Sequence, residues 1–232
     1  MTDHQIVSRT EWIEARRRLL AEEKEFTRQR DQLSQARRQL PWVRVDKPYV
    51  FDTTSGKRTL SELFAGRSQL VVYHFMFGPD WEAPCKSCSF WADNFERNVV
   101  HLNARDVSMI AVSRTPLAKL AAFRQRMGWT FAWASSGESD FNFDYGVSFR
   151  PDDKAVSYNY APKTSAITEL PGISVFCKDA SGAVFHTYSC YARGLDLMNT
   201  AYQYLDLVPK GRDEADLAHS MAWVRFRDSY GG

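Results

Sequence analysis

Leu70-Val71-Val72-Tyr73-His74-Phe75-Met76-Phe77 runs through Gly78-Pro79-Asp80-Trp81-Glu82-Ala83-Pro84 into Cys85-Lys86-Ser87-Cys88. The first segment is a largely apolar run of strand length, the second a loop, and Ser89 to Leu102 carries apolar residues at helical spacing. A C-x-x-C where a strand hands over to a helix reads as a dithiol redox motif. The first thiol then lies at the start of the helix. Free backbone N–H groups and the positive end of the helix dipole favour thiolate there, and thiolate is the nucleophile of disulfide exchange. The second thiol, one turn on, can displace the mixed disulfide. Two other readings stay open. One is half of a zinc site, although Cys177 and Cys190 do not form a second C-x-x-C and no H-x-x-x-H pair is present. The other is two thiols that only pack, as small buried hydrophobes.

Downstream, Asp106-Val107-Ser108-Met109-Ile110-Ala111-Val112 reads as a buried strand. Thr115-Pro116 opens a helix with Leu117, Leu120, Ala121 and Met127 on one side and Gly128 as its stop. Trp129-Thr130-Phe131-Ala132-Trp133 alternates as a half-buried strand. Strand, helix, strand, helix, strand is the order of a sheet with parallel crossovers and helices on both faces. Residues 134–168 are a loop-rich insertion whose aromatics, Phe141, Phe143, Tyr145, Phe149, Tyr158 and Tyr160, either cover a sheet edge or line a groove. Residues 172–177 and 183–188 flank Asp179-Ala180-Ser181-Gly182 as a hairpin. With its turn centred at 180–181, residue 177 faces 184, so Cys177 and Cys190 read as separate structural thiols. A helix over about 195–205 follows. The polar tail carries Trp223-Val224-Arg225-Phe226-Arg227 as a short helix or arm.

Upstream, residues 42–60 form a strand pair and Ser61-Glu62-Leu63-Phe64 a short helical turn. The C-x-x-C helix extends to about residue 103, with Cys88, Trp91, Phe95, Val99 and Leu102 on its inner face. Residues 8–40 read as one long helix. Ser8 is its N-cap, Glu11 closes a capping box, Val7 staples onto Trp12, and Pro41 ends it. Trp12, Leu19, Phe26, Leu33 and Leu40 recur at seven-residue intervals, while the intervening Ala15, Glu22, Gln29 and Ala36 are weak for a coiled coil. Such a helix spans ~50 Å, and its stripe predicts a homodimer in which it packs on the other subunit. Three regions result: an N-terminal arm over 1–41, a main domain over 42–206, and a C-terminal extension over 207–232.

The chain has 232 residues, 44% hydrophobic and 25% charged, with a net charge of +2. That supports one sizeable core and gives no electrostatic reason to bind nucleic acid. No apolar run approaches the ~20 residues of a membrane span, and Met1-Thr2-Asp3-His4-Gln5-Ile6 is not a leader. Four cysteines are not a disulfide framework in a chain of this length. The expectation is a cytoplasmic protein whose 85/88 pair cycles, with no cofactor and no bound metal.

The order of elements from the 48–60 hairpin to the last helix, with Pro171 before the second hairpin, resembles the thioredoxin-fold superfamily in its peroxiredoxin-like branch over roughly residues 42–206. Phe75-Met76-Phe77-Gly78-Pro79-Asp80-Trp81, Cys88-Ser89-Phe90-Trp91-Ala92-Asp93, Arg126-Met127-Gly128-Trp129-Thr130 and Thr187-Tyr188-Ser189-Cys190-Tyr191-Ala192-Arg193-Gly194 further resemble an uncharacterised bacterial thioredoxin-like family nearly end to end. The resemblance implies an α/β fold with a central mixed sheet flanked by helices, the long N-terminal helix and the C-terminal extension being additions. It also implies that Pro171 is a cis-proline facing the thiols and that the Leu170 backbone faces the substrate. Two departures stand out. Pro84, not Trp, precedes Cys85, and Trp81 is four residues back. Glu82 stands three before Cys85, and Cys85 three before Cys88, where peroxiredoxins have Thr or Ser, which argues against a peroxidase.

Cys85 is the candidate attacking thiol and Cys88 the resolving one. His74, Glu82 and Asp80 are candidate proton acceptors, although a lone His among apolar strand residues is more often a packed, hydrogen-bonded core residue. Arg193 either holds an anionic group or bonds a carbonyl, and Lys86 adds positive charge. The expected activity is thiol–disulfide exchange with a protein or small-molecule disulfide or thiol. The alternative is a redox-inactive binding or assembly module on the same fold.

Overall fold

The computed structural model describes residues 4–150, 152–153, 156–163 and 166–231. Residues 1–3, part of the start read as leaderless, and 151, 154–155 and 164–165, part of the loop-rich insertion, lie outside the described residues. The chain divides into two units, Met1–Pro41 and Trp42–Gly232.

The first unit is α1 (Arg9–Arg38). Its start follows the capping logic. The Ser8 hydroxyl accepts the Glu11 N–H at 3.3 Å while the Glu11 carboxylate accepts the Ser8 N–H at 2.9 Å. No residue of α1 is buried. Trp12 is 47% exposed and Phe26 60%.

The second unit is built on one eight-stranded sheet. Its elements in chain order are β1 (Val43–Arg44), β2 (Val50–Thr53), β3 (Gly56–Thr59), β4 (Gln69–His74), α2 (Lys86–Ala92), α3 (Phe95–Ala104), β5 (Val107–Ser113), α4 (Leu117–Met127), β6 (Ala132–Ser135), α5 (Phe141–Asp144), β7 (Ser157–Tyr158), β8 (Ala161–Pro162), β9 (Gly172–Lys178), β10 (Val184–Tyr191) and α6 (Thr200–Leu205). The sheet order is β1-β10-β9-β4-β5-β6-β2-β3. β4, β5 and β6 are parallel, joined by the helical crossovers that parallel pairing demands. The remaining pairs are antiparallel. This is an α/β mixed sheet with three parallel strands at its centre, β9 and β10 completing one side and the β2–β3 hairpin extending the other. Among the described residues no helix is long and apolar enough to cross a membrane.

Period-two alternation sends neighbouring residues to opposite faces. Tyr73, Ala111, Trp133 and Ile173 join one core with Cys88, Trp91, Phe95, Leu120 and Phe123. Leu70, Val72, Ile110, Val112, Ala134 and Phe176 join the other with Phe51, Phe64 and Phe141.

Three local readings shift. The helix expected to run unbroken to 103 is two helices, α2 and α3. Asn94 turns its amide onto the Phe90 carbonyl at 3.0 Å, and the Asp93 carboxylate takes the Trp129 indole N–H at 2.8 Å, so side chains compete with the backbone at the joint. The strand expected over 129–133 is β6, beginning at Ala132, because the Thr130 N–H is spent on the Glu96 carboxylate at 2.8 Å. In the hairpin, Cys177 faces Phe185 and Cys190 faces Ile173. The Asp179 carboxylate gathers the N–H groups of Ser181 and Ala183 into a longer loop than the turn centred at 180–181.

Candidate dithiol site

β4 ends beside β5, and the Phe75 N–H continues the pairing onto the Val112 carbonyl at 2.9 Å. Ten residues on, the chain is fastened back where Cys85 N–H donates to the Met76 carbonyl at 3.0 Å. That bond fixes the N-cap of α2, which is Cys85 itself. Its sulfur accepts the Cys88 N–H at 3.5 Å, and the Ser89 hydroxyl donates to the Cys85 carbonyl at 3.1 Å. Both thiols are free, Cys85 partly exposed and Cys88 buried.

Their environments drive the two thiols apart. The Cys88 thiol donates toward the Cys85 sulfur, the N–H groups of Cys88 and Ser87 and the Ser87 hydroxyl add to this, and together they hold Cys85 down to about 6 against the opposing effect of burial. Burial, and then the Cys85 charge, push Cys88 well above the ordinary thiol value; the Tyr73 hydroxyl and the Met76 N–H pull the other way. The Tyr73 hydroxyl is itself fully buried, close to the Cys88 sulfur.

A cavity of about 310 Å³ opens over the pair. Pro171 and Arg193 stand on its wall with the two cysteines. The Arg193 side chain is 83% exposed and lies 3.7 Å from Asp196. Gly172, after Pro171, is required there: a Cβ would sit 2.6 Å from the Tyr191 ring. Other expected residues lie elsewhere. His74 projects from the opposite face of the sheet, 5.5 Å from the Phe141 ring, and its Nε2 is 2.8 Å from the Ser174 hydroxyl. Burial holds it neutral, with a pKa of about 3. It is the packed core histidine, not the acceptor for Cys88. Glu82 is exposed and lines a separate hollow with Phe77, Lys119 and Arg126. Trp81 packs against the core from the loop, its carbonyl accepting from Lys119 at 3.2 Å. No cis peptide bond occurs among the described residues, so the Leu170–Pro171 bond is trans, against the expectation. The Leu170 N–H is already bonded to the Val147 carbonyl at 2.8 Å, and the Pro171 carbonyl accepts the Tyr158 hydroxyl at 2.7 Å.

The far wall is made by residues that no sequence pattern singled out. Tyr202, Arg212, Glu214, Ser220 and Met221 complete the cavity. One Glu214 oxygen accepts the Tyr202 hydroxyl at 2.6 Å, the Met221 N–H at 2.9 Å and the Trp223 indole N–H at 2.6 Å. Arg212 lies 4.0 Å over the Tyr202 ring and binds both Asp196 and Asp206. Trp223 and Phe226 in the polar tail were the available signal, since large aromatics seldom stay in water. Phe226 is buried against the core.

A family model described as bacterial protein of unknown function (DUF899) matches residues 1–230. The chain belongs to the DUF899 family. No curated protein matches this DUF899 chain. Solved structures similar to it include peroxidoxin BcpB from Mycobacterium tuberculosis, 13% identical, covering 71% of this chain and 97% of that one with a TM-score of 0.46. Peroxiredoxin Q of Xanthomonas campestris is 14% identical over 67% of this chain and 90% of its own, TM-score 0.46. The mitochondrial 2-Cys peroxiredoxin of Plasmodium falciparum is 10% identical over 71% and 92%, TM-score 0.42.

Proposed function

We propose that this DUF899 protein is a thiol–disulfide oxidoreductase in which Cys85 attacks and Cys88 resolves. The observation that carries the reading is the asymmetry of the pair at an open cavity. Cys85 faces the cavity with its sulfur on the N–H of Cys88 and a pKa of about 6, while Cys88 lies buried beneath it with its proton held. A thiol of that kind is largely thiolate at neutral pH yet remains nucleophilic, and the buried thiol is protected until a mixed disulfide forms above it.

The experiment is to treat the reduced protein with one equivalent of a small disulfide and map the product by mass spectrometry. Wild type yields an internal Cys85–Cys88 disulfide. Cys88→Ser retains the mixed disulfide on Cys85, and Cys85→Ser yields neither. If Cys85→Ser forms a mixed disulfide at Cys88 as fast as wild type reacts, or if no disulfide forms at the pair, the protein is instead a binding module with packed thiols.

A further inference from the structure

We propose that the substrate at this cavity is a low-molecular-weight disulfide with an apolar body and an anionic end, rather than a disulfide within a protein chain. This rests on the thiol–disulfide reading above and narrows it by the shape, backbone and charge of the site.

The C-terminal segment closes the side opposite α2. Its fastening is dense: three donors converge on Glu214, and Arg212 is clamped by two carboxylates at 2.8 and 2.6 Å. What remains is a cavity of about 310 Å³ walled by Tyr73, Met76, Trp91, Leu195, Tyr202 and Met221. That is the small end of the range for organic ligands. An extended protein segment would dock by pairing with free backbone at the rim. The rim offers little: the Leu170 N–H is taken by Val147, the Pro171 carbonyl by Tyr158, and the Ala192 N–H donates to that same Tyr158 hydroxyl at 2.9 Å. Pro171 has no N–H to offer.

The mouth carries an exposed cation whose ion pair is long. Arg193 is exposed and lies 3.7 Å from Asp196, whose two oxygens are already committed to Arg212 at 3.0 and 2.8 Å. A carboxylate on the substrate's outer end would pair with Arg193 while its apolar body lies on Trp91 and Met221. Deep in the cavity, the buried Tyr73 hydroxyl can donate to the sulfur charge that develops there.

The chemistry balances as follows. The Cys85 thiolate attacks one sulfur of R–S–S–R, forming Cys85–S–S–R and expelling R–S⁻. Cys88 gives its proton to the expelled thiolate and attacks the Cys85 sulfur. The second R–S⁻ leaves, and the Cys85–Cys88 disulfide remains. The cysteines lose two electrons, and the substrate gains them as one thiol, carrying the Cys88 proton, and one thiolate that takes its proton from water. A dithiol reductant returns the protein to its starting state.

The test uses the reduced full-length protein and a matched pair of aromatic disulfides, 5,5′-dithiobis(2-nitrobenzoate), which carries carboxylates, and 4,4′-dithiodipyridine, which is uncharged. Reaction of Cys85→Ser is subtracted as background. Insulin serves as the protein disulfide. All rates are divided by those of free dithiothreitol with the same disulfide. The expected result is that both small disulfides react at least about tenfold faster than insulin on this scale. Arg193→Met then slows the dicarboxylate about fivefold, the worth of a rim ion pair, and leaves dithiodipyridine unchanged. Insulin reacting as fast as the small disulfides, or Arg193→Met slowing both small disulfides equally, overturns the proposal while leaving the Cys85–Cys88 chemistry intact. Failure of every disulfide to oxidise the pair overturns the underlying reading instead.

Discussion

Several donors at the start of α2 lower the Cys85 pKa, and the Cys88 thiol is the first among them, ahead of the N–H groups of Cys88 and Ser87. Cys88→Ala should therefore raise the Cys85 pKa from about 6 toward the free-thiol value of ~8.5, read as the pH midpoint of alkylation by iodoacetamide. An unchanged midpoint in Cys88→Ala would assign the shift to the backbone N–H groups alone. One residue before Phe75, on the opposite face of the sheet, His74 makes a different prediction. Its folded pKa of about 3 lies below the ordinary 6.5. Between those values the unfolded chain binds a proton that the folded chain refuses, so stability is full above pH 6.5 and falls as the pH drops. The slope from this residue is at most about 1.4 kcal/mol per pH unit. In His74→Gln the loss of urea stability between pH 7 and 5 should be smaller than in wild type. Equal losses would show that other groups carry the acid sensitivity.

At the scale of elements, the segment after α6 matters more than its polarity would indicate. It has little regular structure, and its position depends on side-chain bonds. Those bonds centre on Glu214, and removing the carboxylate leaves the Tyr202 hydroxyl and the Trp223 indole N–H without an acceptor. Glu214→Ala should cost about 2 kcal/mol and expose the 207–226 segment to trypsin, while β4 and α2 keep their protection. Bulkier disulfides should then gain access to Cys85. If limited proteolysis of Glu214→Ala matches wild type, apolar packing by Val224 and Phe226 alone holds the segment. The α2–α3 joint shows the same principle: Asp93 and Asn94 interrupt a helical pattern because Trp129, far along the chain, claims one of them.

At the scale of the molecule, α1 raises the question of assembly. Trp12, Leu19, Phe26 and Leu33 lie along it and all are exposed. Leaving such side chains in water forgoes roughly 2 kcal/mol each. We propose that α1 pairs with α1 of a second copy, which gives a closed twofold assembly. Light scattering at micromolar concentration should report a dimer, and the double variant Leu19→Glu, Phe26→Glu should report a monomer with unchanged near-UV circular dichroism. A monomeric wild-type protein ends the proposal.

Whatever depends on near neighbours could be read from the order of the amino acids. The apolar run of β4, the loop, and the cysteines at the start of α2 are set by patterning within twenty residues, as are the Ser8–Glu11 cap of α1 and the Gly128 stop of α4, with φ of 61°. Each follows from backbone geometry and local hydrogen bonding, so it is legible without the fold. Which face of β4 holds the site could not be read that way, because it depends on packing between distant segments. Tyr73 and His74 are adjacent and equally buried, and it is the packing of α2 on one side and Phe141 on the other that gives the thiols a tyrosine and leaves the histidine in the core. Likewise the Leu170 N–H looks free in the sequence and is spent on Val147 in the fold. The wall built by Arg212, Glu214 and Met221 has no periodicity to betray it. Its ion pairs and buried acceptors acquire meaning only when segments more than a hundred residues apart in sequence meet over Cys85.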